Sequence, residues 1–204
     1  MISHGEYDSQ AWVQESVANS LEGMSLYEDA LQQYYELEAT FFQVLQEKNL
    51  SWFGALITPM PTDDSAPLLS VTKKPYRDFI LANTISVFDF RVYLLARECA
   101  LLSKVGDMEE LCRKASSFLS TFGRTLREVE VRLSLCLNKN TCRHWQLQDT
   151  LPPFFIESWI YSSALSVVDQ ADEWASSLQL DKTALASFNA AKGELVELAR
   201  SQVT

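Results

Sequence analysis

Between residues 9 and 22, in SQAWVQESVANSLE, the apolar positions Trp12, Val13, Val17 and Leu21 recur at helical steps behind a Ser/Asp start signal, and Gly23 follows as a stop. The next stretch, GMSLYEDALQQYYELEATFF, repeats the pattern with greater contrast. Leu26, Ala30, Tyr34, Leu37, Phe41 and Val44 occupy one side, and Glu28, Asp29, Gln32, Gln33 and Glu36 the other. Each helix is predicted to bury its apolar stripe, and the short link at Gly23 makes the pair an antiparallel hairpin. Small Ala30 suits a close approach of the two backbones.

The periodicity stops from about Lys48 to Pro75, where Pro59, Pro61, Pro67 and Pro75 rule out a regular helix. LSWFGALI at the start of this loop is expected to dock on the helices through Trp52, Phe53, Leu56 and Ile57, and TPMPTDDSAP to be mobile. A third helix, about Tyr76 to Lys104, is apolar nearly all round, as befits a central element with neighbours on two sides. After Gly106 and Asp107 a fourth helix carries Met108, Leu111, Cys112, Ala115, Phe118 and Leu119 on one side and extends to about Leu137. A polar loop ending in Pro152 and Pro153 precedes a fifth, roughly Phe154 to Leu178, and a sixth ends near Arg200. Helical junctions at Gly23 and Gly106, about 80 residues apart, imply stacked hairpins. The expected fold is all-α, an irregular α-solenoid of antiparallel hairpins spanning 1–204.

Composition narrows the function. Only six Gly and six Pro disfavour a turn-rich β architecture. With 27 acidic residues against 17 basic ones, a net charge of -10 argues against nucleic acid or anionic lipid as main partner. The apolar run from Phe79 to Leu102 is interrupted by Asp89, Arg91, Arg97 and Glu98, so membrane insertion is not expected. MISHGEYDSQ has no secretory pattern, and Cys99, Cys112, Cys136 and Cys142 read as reduced thiols of a cytoplasmic protein.

No nucleophile, phosphate-loop, zinc or calcium motif occurs, and the sequence has two histidines, His4 and His144. Cys136, Cys142 and His144 offer at most three ligands at C-x5-C-x-H spacing, and unconnected core and loop residues are the favoured reading. No enzyme activity and no cofactor is expected. Lys73, Lys74 and Arg77 form the densest basic cluster; it reads as a solvated loop end, with contact to an acidic partner as the sharper alternative. Asp89, Arg91, Arg97 and Glu98 should pair with neighbouring helices, because unpaired buried charge is costly. Tyr7, Tyr35, Trp145 and Trp174 are candidate interface aromatics.

LYEDALQQYYELEATF, LSWFGAL, WIYSSALSVV and above all FDFRVYLLARECALL (residues 88–102) resemble the largest solenoid subunit of the TRAPP II (transport protein particle II) Golgi tethering complex. Asp89, Arg91, Tyr93, Leu94, Arg97, Cys99, Leu101 and Leu102 follow the family pattern, and the likeness covers roughly residues 15 to 175. It implies a non-catalytic scaffold segment in a complex that exchanges guanine nucleotide on a Rab GTPase. The implied location is cytoplasmic, peripheral at the Golgi, and the implied partners are other TRAPP II subunits and, through the complex, the Rab. No β-rich region follows, so the chain is expected to match a middle segment of that subunit. A tetratricopeptide-like peptide-binding module is the alternative, although the junction spacing is not 34 residues and the W-x2-L-G-x2-Y signature is absent. An end hairpin without a polar cap also allows a weak homodimer of the isolated chain.

Overall fold

The computed structural model describes the backbone of residues 4–47, 67–82, 84–138 and 154–203, and the side-chain surroundings of 12–47, 67–82, 84–128 and 154–203. All regular structure among the described residues is helical: α1 His4–Gly23, α2 Tyr27–Glu47, α3 Tyr76–Leu81, α4 Val87–Val105, α5 Met108–Asn138, α6 Phe155–Ser176 and α7 Lys182–Arg200. The expected loop segments LSWFGALI and TPMPTDDSA, and the ligand candidates Cys142 and His144, lie outside the described residues, as do the side chains of Tyr7, Cys136 and Trp145.

Helices α1 and α2 form the predicted hairpin. Its turn differs in detail, because the left-handed residue is Ser25, at φ 61°, while Gly23 ends α1 in ordinary helical geometry. Ala18 and Ala30 are both fully buried, which lets the paired helices approach closely. Helix α2 keeps its expected division, with Ala30, Tyr34, Leu37 and Phe41 buried and Glu28, Asp29, Gln32 and Glu36 exposed, but Leu26, expected on the buried stripe, precedes the helix and is 45% exposed.

The continuous third helix expected from 76 to 104 is two helices. Ser86 adopts an extended backbone (φ -74°, ψ 156°) and its Oγ accepts from the Asp89 backbone N–H at 3.0 Å. Ser86 Oγ donates in turn to Asp89 Oδ2 at 2.8 Å. This short-range cap restarts the chain as α4 and leaves α3 a six-residue turn. At the other end Gly106, at φ 91°, closes α4 in the left-handed region, with its N–H bonded to Leu102 O. Asp107 then caps α5 through the Glu110 N–H at 3.1 Å.

Helix α2 packs on α4, α4 on α5, and α5 on both α6 and α7, which also pair with each other. One cluster of buried side chains runs through these contacts from Ala18 to Ala199. A second, smaller one joins Phe122 and Leu126 of α5 to Ile156 and Ile160 of α6. There Gly123 brings α5 against α6: a Cβ at this position would lie closer to Ile160 Cδ1 than van der Waals contact allows. Helix α4 is the most enclosed element, with Val92, Tyr93, Leu94, Leu95, Ala96 and Cys99 in the core.

Candidate functional site

The ionisable residues of α4 converge on two polar layers between helices. In the first, Arg97 donates from Nε to Tyr34 Oη at 2.8 Å and from Nη2 to Asn19 Oδ1 at 3.0 Å and Glu22 Oε2 at 2.5 Å. Three helices are tied by one guanidinium. One turn earlier, Tyr93 Oη donates to Glu15 Oε1 at 2.5 Å, and Arg77 from α3 reaches the same carboxylate at 3.1 Å. Toward the end of α4, Lys104 Nζ donates to Glu22 Oε1 at 2.7 Å. The backbones of α1 and α4 do not meet, so long charged side chains fill the space between them.

This layer explains the orientation of α1, which contradicts the sequence expectation. Glu15 is 1% exposed and Ala18 fully buried, whereas Trp12, Val13 and Val17 lie 39, 50 and 44% exposed. Of the expected stripe Leu21 packs against the core, while the inward side of α1 is otherwise polar where the surface it meets presents Tyr93, Arg97 and Lys104. Burial, then Tyr34 and Glu15, push the Tyr93 hydroxyl well above the ordinary tyrosine range, so it remains a donor throughout the physiological range.

The second layer lies on the other side of α4. Glu98, fully buried, is paired with Lys114 of α5, whose Nζ also donates to Glu38 of α2 at 3.0 Å and sits 4.5 Å from the Tyr35 ring centroid. Glu98 Oε1 has no protein hydrogen-bond partner. Burial and Glu38 raise the Glu98 carboxyl to about 7 against the opposing pull of Lys114. Burial disfavours the Lys114 charge, yet Glu98 and Glu38 together hold it above the usual lysine range. Arg91 lies over the Phe42 ring at 4.3 Å, with burial bringing its guanidinium down to about 10 against Glu38.

The basic trio does not form one exposed cluster. Lys74 is 5% exposed and donates to Asp89 at 2.8 Å, which joins it to the α4 motif instead of the surface. Arg77 is exposed along its length while its tip engages Glu15, and Lys73 is half-buried. Lys74 was missed as a buried residue because its partner is fifteen positions away. Of the residues of the sequence motif, Arg91, Tyr93 and Arg97 make contacts that join α4 to other helices, and Asp89 ties it to Lys74 in the segment before α3. Tyr35 and Trp174 are half-buried. The buried thiols Cys99 and Cys112 are raised by desolvation, the latter to about 12, so neither is an activated nucleophile. Among the described residues no group of three or more His, Cys, Asp or Glu is placed to hold a metal ion, and no helix is long and apolar enough to cross a membrane.

Paired helices held by polar layers, with motif residues engaged in the contacts between them, define an all-α helical-packing protein. The chain is 30% identical over 166 residues to trafficking protein particle complex subunit 10 of Dictyostelium discoideum, covering 79% of this chain and 10% of that protein. The human subunit 10 is 25% identical over 173 residues, 83% of this chain and 12% of its own. The trafficking protein particle complex II-specific subunit 130 homolog of Arabidopsis thaliana is 29% identical over 131 residues, 62% of this chain and 10% of that protein. These homologues relate the chain to a segment of the TRAPP II large subunits. It spans about a tenth of the length of the curated relatives it matches. No protein-family model matches the sequence, and no solved structure does.

Proposed function

We propose that the chain is a non-catalytic scaffold segment of a vesicle-tethering TRAPP complex, whose helical hairpins stack as a solenoid and dock other subunits. The observation that carries this reading is the 30% identity to a trafficking-complex subunit over most of the chain. The inward engagement of Asp89, Tyr93 and Arg97 agrees with it: these residues maintain a shape that exposed helix faces then present. Guanine-nucleotide exchange on a Rab GTPase at the Golgi is assigned to the assembled complex, with this segment supporting it indirectly. Lys73 and Arg77 are proposed as the polar edge of a subunit contact, with Lys74 positioning that edge through Asp89. Weak self-association of the isolated chain completes the proposal.

Affinity purification of the tagged chain from cytosol tests the central reading. Recovery of TRAPP subunits, reduced several-fold by joint substitution of Lys73 and Arg77 with Ala, is the expected result. Recovery of no TRAPP subunit overturns it. The alternative peptide-binding module requires outward basic residues in a groove, whereas Lys74, Arg97 and Lys114 are directed onto Asp89, Glu22 and Glu98.

A further inference from the structure

Helix α1 is turned with its polar side inward, and the consequence is an apolar stripe on the outside. Trp12, Val13, Val17 and Met24 are 39, 50, 44 and 61% exposed, and Leu26 at the following turn is 45% exposed. Among the described helices the α1 backbone approaches only those of α2 and α3, and its side-chain bonds to α4 lie on the inner face, so no described helix packs on this side. Five large apolar residues exposed in one row make a patch of a few hundred Å², the size at which exposed apolar surface on a monomer is often functional.

We propose that this stripe is the contact of a weak, reversible homodimer in which α1 of one copy lies antiparallel on α1 of a second. The inference rests on the self-association proposed above and gives it a surface. Three observations select a second copy as the occupant. First, the stripe is self-complementary: Ser16 and Ser20, small and one turn apart, lie beside Val13 and Val17. A twofold axis near them lets two helices approach and sets Trp12 of one copy toward Met24 of the other.

Second, from residue 9 to residue 26 the ionisable side chains are Glu15, buried on the inner face, and Glu22, which is paired with Arg97 and Lys104. A chain of net charge -10 thus meets its copy across an uncharged strip, where no like charges are forced together. Third, the area sets the strength. Five residues per copy, 39 to 61% exposed, fall short of the roughly 20 to 30 residues and roughly 800 Å² per partner of a stable complex, which specifies a transient dimer. Long-range repulsion between two acidic copies opposes association at low salt, so added salt should strengthen it.

The test is sedimentation of the 204-residue chain from about 5 to about 500 µM, at roughly 50 and roughly 500 mM NaCl. The wild type should show a monomer–dimer equilibrium that tightens at least about 3-fold at the higher salt. Val13→Glu with Val17→Glu should weaken it by about 10-fold or more, since burying a carboxylate from each copy against its twin is strongly unfavourable, and should leave helical circular dichroism unchanged. If that pair unfolds the chain, Val13→Ser with Val17→Ser is read in the same way. A monomer at every concentration and both salts overturns self-association and this surface together. A dimer indifferent to the substitutions preserves self-association and overturns the surface. A dimer that weakens with salt also overturns it, because its contact would be ionic. Each of these outcomes is independent of whether TRAPP subunits are recovered from cytosol.

Discussion

The two ends of the molecule are joined by different chemistry. Between α1 and α4 the space is spanned by Glu15, Asn19, Glu22, Tyr93, Arg97 and Lys104, each long enough to reach across a gap that the backbones leave open. Between α5 and α6 the space closes on an aromatic stack. Phe88 and Phe122 have ring centroids 4.7 Å apart, and Trp159 lies edge-on to Phe122 at 4.9 Å. The missing side chain at Gly123 helps the backbones approach there. Apolar packing is non-directional and tolerates small shifts, whereas a guanidinium that ties its own helix to two others specifies their register. The difference teaches that the amino-terminal layer orients helices and the carboxy-terminal layer supplies much of the cohesion.

Substitution of the two central side chains should separate those roles. Phe122→Ala removes a ring 4% exposed that touches Phe88, Phe118 and Trp159, and should cost about 4 kcal/mol through lost burial and the cavity left behind. Arg97→Ala removes the bonds to Asn19, Glu22 and the Tyr34 hydroxyl in a partly buried site, leaving Glu22 to Lys104, and should cost about 2 kcal/mol. Urea denaturation at neutral pH measures both. A loss below about 1 kcal/mol for Arg97→Ala would mean that water already satisfies the α1–α4 layer, and the contrast between the two ends would fail. Replacement of Arg97 by Met, similar in length and uncharged, sharpens the point, since it restores packing without restoring the bonds to Asn19, Glu22 and Tyr34.

The Glu98 layer provides a pH readout that the aromatic layer lacks. Its folded carboxyl titrates at about 7, above the ordinary glutamate value of 4.5. A raised acid pKa means that the folded chain holds the proton more tightly than the unfolded one. The associated stability is therefore fully present below about pH 4.5 and is lost as pH rises through about 7. Glu98→Gln mimics the protonated form and should gain about 2 kcal/mol over wild type near pH 8, with the difference shrinking toward zero near pH 4.5. Lys114, Glu38 and Tyr35 face this carboxyl from α5 and α2 and are retained in the variant. The difference between paired denaturation curves across that range isolates Glu98. A constant difference would show that its carboxyl stays ionised in the folded chain.

The sequence reveals an element most clearly where one face meets oil and the other meets water. Helices α2, α5 and α7 satisfy that condition, and their positions follow from spacing. Helix α1 does not, because its neighbour offers Tyr93 and Arg97; the usual inference that apolar residues point inward then selects the wrong face. The break between α3 and α4 had a local signal in Ser86-Val87-Phe88-Asp89, a capping pattern hidden within a long apolar run. Asp89, Arg97 and Glu98 were legible as residues needing partners, since burying a charge is costly. Which partners they find was not, because Glu22 is 75 positions from Arg97 and nothing in local periodicity carries that distance. Lys74 looked like surface for the same reason.

Two of the helix caps offer the finest form of the comparison. Asp181 begins α7 by accepting from the Ala184 backbone N–H at 2.7 Å on an exposed surface, with no further role in a polar layer. Ser86 makes the equivalent bond for α4 but is 5% exposed, and its hydroxyl also steadies Asp89, the partner of buried Lys74. Asp181→Ala should cost about 1 kcal/mol, the ordinary value of a lost cap. Ser86→Ala should cost about 2 kcal/mol, because it also removes a hydrogen bond from a buried carboxylate. Combining Ser86→Ala with Lys74→Met makes the distinction sharper. If cap and ion pair are coupled through Asp89, the double substitution should depart from the sum of the singles by about 1 kcal/mol. Strict additivity would reduce Ser86 to a local cap like Asp181, and the ordering role of charge would then be confined to the α1–α4 and Glu98 layers.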